Sequence, residues 1–174
     1  SLSDLKADGD RLIEALEKEH DVSCQTIDVD ALRGLSPQLR SWDWKLKTFV
    51  RDEEIVAVGP PTGCHLGLAV DLGTTKIAGY LVDLKNGRTV ASHGIMNPQI
   101  AYGEDVVARM AFAQKDPVQA GRLQKLVVEA LNQAAVEMCA EASTDPVEIV
   151  ESVVVGNTAM HHLFLGLPVK QLAR

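Results

Sequence analysis

The sequence predicts an α/β protein in two units: a small α/β unit over residues 1–63 and a larger one with a mixed sheet over residues 64–174. Three observations predict this. The first sixty residues combine an amphipathic helical pattern with short alternating runs. Gly59-Pro60-Pro61-Thr62-Gly63 then interrupts every period. Beyond it come three strand-like runs joined by two tight turns, a long helical pattern, a fourth β-branched run and a further helix. A strand reached through so long a crossover returns parallel to its neighbour, which makes the sheet mixed.

In the first unit, Asp4 to Glu19 places Leu5, Leu12, Ile13 and Leu16 on one helical face. Cys24 to Val29 reads as a short strand. Two short helices are expected next, over Asp30–Leu35 and Pro37–Asp43, the second with Ser36 as N-cap and Pro37 at its first position. Trp44–Arg51 and Glu54–Val58 alternate as a hairpin across Arg51-Asp52-Glu53.

In the second unit, Leu66–Val70 is short and nearly all apolar, so burial on both faces is expected. Lys76–Leu84 and Arg88–Ile95 flank Asn86-Gly87, a strong hairpin signal. A helix is expected over Gly103–Gln114. A long one follows over Pro117–Ala142, started by Asp116-Pro117 and stopped before Asp145-Pro146. Its apolar face carries Leu123, Leu126, Val127, Ala130, Leu131, Ala134 and Met138. Ile149–Val155 is the fourth strand. Gly156-Asn157-Thr158 ends it, and Ala159–Leu165 starts another helix.

Bulk properties exclude several classes of function. The chain has 174 residues, 46% hydrophobic and only 4% aromatic, so its core is built from Leu, Val, Ile and Ala. The net charge of −7 argues against a nucleic-acid partner. Three separated cysteines, Cys24, Cys64 and Cys139, form neither a disulfide framework nor a zinc or iron–sulfur spacing, and read as mostly buried thiols. No apolar run reaches the roughly 20 residues of a membrane span, and no signal-peptide pattern opens the chain. A cytoplasmic protein with no membrane partner is expected. Ser1-Leu2-Ser3 lacks an initiator Met, and Gln171-Leu172-Ala173-Arg174 stops just after a helix-like segment. The sequence therefore reads as a piece of a longer chain.

Asp71-Leu72-Gly73-Thr74-Thr75-Lys76 carries the most chemistry. Gly73 lets a phosphate approach the amides of a tight turn. The Thr74 and Thr75 hydroxyls add rotatable donors, and Lys76 adds a cation if strand alternation aims it there. Asp71 can hold the water shell of a magnesium ion, a metal that keeps several waters and uses few carboxylates. The same residues also suit a β-turn with no ligand. Gly156, Asn157 and Thr158 sit at the carboxyl end of a strand, where open α/β sheets bind ligands and helix amides favour anions. Asn157 also suits a plain N-cap. Glu104 and Asp105 open a helix and suit its dipole; action on an attacking water is a second reading. His161 and His162 face different helix sides and read as ordinary helix residues.

The strand and helix order is the opening of an RNase H-like sheet, whose first hairpin turn here is Gly73-Thr74-Thr75. Gly67-Leu68-Ala69-Val70-Asp71-Leu72-Gly73-Thr74-Thr75-Lys76 resembles the phosphate loop of the actin-like ATPase superfamily. Asn97-Pro98-Gln99-Ile100-Ala101-Tyr102-Gly103-Glu104-Asp105-Val106-Val107-Ala108-Arg109 and Val153-Val154-Val155-Gly156-Asn157-Thr158-Ala159-Met160 are similar to one branch, the reductive activators of corrinoid proteins. Arg11-Leu12-Ile13-Glu14-Ala15-Leu16 through Arg51-Asp52-Glu53-Glu54-Ile55-Val56 resembles that family's linker domain.

The resemblance implies a small α/β linker domain, residues 1–63, followed by the N-terminal part of an actin-like ATPase domain, residues 64–174. It implies ATP and Mg2+ as ligands and an ATP-dependent return of cobalt(II) corrinoid to cobalt(I) on a methyl-transfer corrinoid protein. That corrinoid protein is the expected partner, with a homodimer also open. A plant-type two-iron two-sulfur cluster is expected in the parent and not in this chain, which lacks the four-cysteine spacing. The second phosphate loop and the adenosine-binding region are not recognised here, so the chain alone is expected to bind ATP weakly or not at all. A small-molecule kinase, a chaperone-like nucleotide module and an interaction scaffold are rival readings. The folded unit preceding the phosphate loop favours the activator.

Overall fold

Leu12 and Leu16 lie one turn apart on helix α1 (Asp8–His20) and are buried together with Cys24, Leu35, Leu39 and Ile55. That cluster is the core of the first of two compact units, which meet in sequence at Gly63 and Cys64. The computed structural model describes residues 5–172. Ser1-Leu2-Ser3, Asp4 and Ala173-Arg174 lie outside them; within them the first helix begins at Asp8 rather than near Asp4, and Leu5, expected on its apolar face, is 93% exposed.

In the first unit, β1 (Thr26–Ile27), β2 (Lys47–Arg51) and β3 (Glu54–Gly59) form a sheet in the order β1-β3-β2. β1 runs parallel to β3, and β2 antiparallel. The expected strand Cys24–Val29 shortens to two residues because Asp28 caps helix α2 (Val29–Ser41), accepting from the Asp30 and Ala31 amides at 2.8 and 3.2 Å. The two expected short helices are one. Pro37 lies inside α2 and removes the amide that would bond the Arg33 carbonyl. Burial of Leu35 and Leu39 on either side of it offsets that loss. Ser36 does not cap; its hydroxyl donates to the Asp8 carboxylate at 2.6 Å. β2 starts at Lys47 rather than Trp44 because Asp43 and Trp44 both turn the chain, with φ of 51° and 62°. The β2–β3 hairpin turns at Asp52, whose φ is 54°.

Asp8 gives this unit an acid dependence. Its carboxylate accepts from the Ser36 hydroxyl and from Arg40 Nη1 at 2.9 Å, and these bonds hold its pKa below the ordinary carboxylate value. A group with a lowered folded pKa adds stability that is present above its unfolded pKa and lost as pH falls through the folded one. Asp8→Asn is expected to cost about 1 kcal/mol at neutral pH. The gap to wild type should close below about pH 4. Both tryptophans, Trp42 and Trp44, lie in this unit and report its urea unfolding. A gap that does not change with pH would refute the assignment.

The second unit is built on β4 (Leu66–Leu72), β5 (Lys76–Asp83), β6 (Arg88–Met96) and β7 (Ile149–Gly156), in the order β6-β5-β4-β7. The first three pair antiparallel, and β7 returns parallel to β4, as the crossover required. Helices α3 (Val106–Ala113), α4 (Pro117–Glu141) and α5 (Thr158–Leu165) complete it. The β5–β6 turn closes through Gly87, at φ 73°, and through the Asp83 carboxylate, which accepts from the Lys85 amide and Asn86 Nδ2.

The expected helix over Gly103–Gln114 is α3, which starts only at Val106, and a 3₁₀ turn over Pro98–Tyr102 precedes it. Asp105 caps α3 by accepting from the Ala108 amide at 2.7 Å. The long helix α4, the fourth strand and the helix after it fall where the periodicity put them.

One face of the sheet is buried. Val70, Leu72 and Ile77 pack with Met110, Leu123, Val127, Met160 and Leu163 of the three helices. The expectation that β4 is buried on both faces does not hold. Register puts Ala69 and Asp71 on the other face with Tyr80, Val153 and Val155. There Asp71 and Tyr80 are exposed and both valines are 54% exposed, because α3, α4 and α5 of this unit pack on the first face.

The three cysteines are unpaired: Cys24 and Cys139 are buried and Cys64 is exposed. Burial, with Glu53 nearby, pushes the Cys24 thiol pKa up. Among the described residues no helix is long and apolar enough to cross a membrane.

Candidate functional site

β4 and β7 run parallel with Leu72 opposite Gly156, so their carboxyl ends lie side by side. The two segments singled out in the sequence leave the sheet at that point. Gly73-Thr74-Thr75 turns β4 into β5, and Asn157 caps α5. They touch: Asn157 Nδ2 donates to Thr74 Oγ1 at 3.2 Å, while its Oδ1 accepts from the Met160 amide at 2.9 Å. Asn157 is thus both the plain N-cap and a link to the turn. Thr158 is the first residue of α5 and is exposed.

Both glycines are dictated by crowding. A Cβ on Gly73 would stand 2.3 Å from the Lys76 carbonyl oxygen, and one on Gly156 2.8 Å from the Leu72 carbonyl oxygen. In each case the obstacle is backbone, which cannot rotate aside.

Asp71 is one residue inside the end of β4 rather than at its tip, and it is exposed. It pairs with Ala78, and Lys76 lies two residues from Ala78 on β5, so Asp71 and Lys76 share the open sheet face. Thr75 and Lys76 are exposed, and Thr74 is half-buried. Alternation therefore places Lys76 on the side of the carboxylate. The set comprises an exposed carboxylate, two hydroxyls, an ammonium and a tight turn whose first residue has no side chain. It suits an anionic phosphate with a hydrated divalent cation.

Other candidates separate from this cluster. Asp105 is engaged as the α3 cap, and Glu104 is exposed beside it. His162 Nδ1 contacts the Pro168 carbonyl at 2.7 Å. No group of three His, Cys, Asp or Glu residues that could hold a metal occurs among the described residues.

Two residues were not assigned a role from the sequence. Asn97 is buried behind the turn, donating Nδ2 to the Gly73 carbonyl and its backbone amide to the Thr75 carbonyl, both at 2.9 Å. Its signal was Asn-Pro at a helical start, an N-cap pattern. Arg109 is 0% exposed; its Nε donates to the Gly103 carbonyl at 2.8 Å, and burial lowers its pKa. Its signal was a lone cation within the apolar run Val106-Val107-Ala108-Arg109-Met110-Ala111-Phe112-Ala113.

A mixed sheet of this order, with a Gly-Thr-Thr turn on its first hairpin and a second loop beside it, defines an RNase H-like subdomain of the actin-like type. The chain belongs to the RACo family: residues 66–174 match the RACo middle region and residues 1–63 the RACo linker region. It is 38% identical over 106 residues to the corrinoid activation enzyme RamQ of Eubacterium limosum, a match over 61% of this chain and 18% of that protein. It also resembles a solved reductive activator for corrinoid, iron-sulfur protein, with 28% identity and a TM-score of 0.75, covering 98% of this chain and 28% of that one. The chain thus spans less than a third of the length of either relative.

Proposed function

We propose that this chain supplies the linker and one half of an ATP site in a reductive activator that returns the cobalt(II) corrinoid of a methyl-transfer protein to cobalt(I). The observation that carries this reading is the Asn157–Thr74 hydrogen bond, which joins a superfamily-level phosphate-loop segment to a branch-specific one at the carboxyl ends of adjacent parallel strands. In this reading the amides and hydroxyls of Gly73, Thr74 and Thr75 hold the terminal phosphates, with Lys76 as an added cation. Asp71 orients the water shell of Mg2+ and is the catalytic candidate. Gly156, Asn157 and Thr158 form the second wall, with the start of α5 favouring negative charge. The exposed carboxylate and hydroxyls beside the turn fit such a ligand.

The net chemistry asked of the whole protein is one electron to cobalt(II), giving cobalt(I). Electron transfer from ordinary donors to that couple runs uphill, so ATP would supply the free energy, and a two-iron two-sulfur domain elsewhere in the parent would supply the electron. The partner that fits is a corrinoid iron–sulfur protein or a close counterpart. The test uses the full-length protein, an oxidised corrinoid protein, a reductant and Mg-ATP, with cobalt(I) followed by its absorbance. Cobalt(I) is expected to form only with ATP present. Equal formation without ATP would overturn the reading.

A further inference from the structure

Asn97 is 1% exposed, and all four of its polar groups are engaged, its carbonyl accepting from the Ile100 amide as the cap of the 3₁₀ turn. Its Oδ1 accepts from the Gln99 amide at 3.0 Å, which is the ordinary work of an N-cap. Capping does not call for the other two bonds. Nδ2 donates to the Gly73 carbonyl and the backbone amide donates to the Thr75 carbonyl. In a planar trans peptide a carbonyl and the next residue's amide hydrogen point in opposite directions, and the chain has no cis peptide among its described residues. Holding the Gly73 and Thr75 carbonyls on Asn97 therefore turns the Thr74 and Lys76 amide hydrogens to the opposite side. Asn157 donates to Thr74 Oγ1 from β7's end, leaving the hydroxyl hydrogen of Thr74 to be donated elsewhere.

The two asparagines stand on elements tied together. Arg109 bonds the Gly103 carbonyl, just past the 3₁₀ turn that Asn97 caps, and its Nη1 lies 3.8 Å from Met160 Sδ in the first turn of α5. The turn is thus gripped from two sides of one frame.

We propose that Asn97 is a positioning residue: it sets the direction of the Thr74 and Lys76 amides toward a bound phosphate while touching no ligand itself. This rests on the nucleotide reading above. Two variants of the full-length protein separate the amide's grip from the cap. Asn97→Ser keeps a cap oxygen but is too short to reach Gly73. Asn97→Asp keeps size and cap but sets a carboxylate oxygen against the Gly73 carbonyl.

Mg-ATP binding is measured by calorimetry and adenosine binding by ligand-observed NMR, with circular dichroism as the check on folding. Both variants are expected to bind Mg-ATP roughly 10- to 100-fold more weakly with adenosine binding unchanged. The Asn97→Asp deficit relative to wild type should shrink as pH falls, since a protonated carboxyl regains a donor; the Asn97→Ser deficit should not. Wild-type ATP affinity in both variants would overturn the proposal, as would equal weakening of ATP and adenosine. A wild-type protein that binds adenosine but gains nothing from the phosphates would overturn the phosphate reading, and the Asn97 assignment with it.

Discussion

Asp71→Ala in the full-length protein is expected to lower corrinoid-stimulated ATP turnover on the order of a hundredfold or more. The unfolding free energy should stay within about 0.5 kcal/mol of wild type. The two halves of this expectation have one source. Asp71 lies on the open face of the sheet, exposed, with Ala78 and Val155 as its register partners. Truncating it leaves no cavity, so the fold has little reason to respond. Its work, if it holds the water shell of a magnesium ion, depends on charge at that spot. Asp71→Asn keeps the shape and removes the charge, and should fall almost as far. Unchanged turnover in either variant would sink the assignment of Asp71, and a large fall in stability would recast it as a structural residue.

The second large effect is at Gly73. Gly73→Ala would place a methyl 2.3 Å from the Lys76 carbonyl oxygen, a separation that real contacts do not reach. Both groups belong to the backbone of one turn, so relief requires the turn to open. Opening it moves the Gly73 carbonyl away from Asn97 Nδ2. The expected result is a loss of about 2–4 kcal/mol in stability, together with a loss of nucleotide affinity of roughly tenfold or more. Gly94→Ala is the matched control. It sits in β6 with open space where its Cβ would go, and should change stability by less than about 0.5 kcal/mol. Chemical denaturation and calorimetry on the two variants separate a crowded glycine from a free one. Equal behaviour would mean that the turn is not the tight object described.

The sequence was most legible where periodicity and turn chemistry agreed. The β5–β6 hairpin at Asn86-Gly87, α4 behind Asp116-Pro117 and the parallel return of β7 all follow from local pattern and the rule for crossovers. It was least legible where tertiary contacts override a local signal. Ser36-Pro37 carries a helix-start pattern, yet packing of Leu35 and Leu39 carries α2 straight through it, and Asp8 draws the Ser36 hydroxyl away. The helix expected from Gly103 starts only at Val106, because Gly103 ends the 3₁₀ turn before it and Asp105 caps α3.

The candidate site shows the same division. The Asp71 to Lys76 segment and Gly156 to Thr158 were visible as motifs, since each is contiguous and rich in turn residues. That Asn157 reaches Thr74 was not, because no local rule links residues 83 apart. The grip of Asn97 on two carbonyls was hidden for another reason. A sequence shows that an asparagine can cap, but not that its amide nitrogen has a carbonyl behind it.

The parallel β4–β7 pair has a consequence for the order in which the chain gains structure. The Gly73–Thr75 turn belongs to a hairpin, which closes locally within microseconds, and its bond to Asn97 spans only 24 residues. Its bond to Asn157 spans 83 and must wait for the whole helical crossover. Closing a loop of that size costs roughly 4 kcal/mol in chain entropy. The turn and its inner support therefore belong to an early, local folding unit, while the second wall arrives with β7. Partial unfolding should run in reverse, releasing β7 and α5 first and leaving a shaped turn with only one side attached.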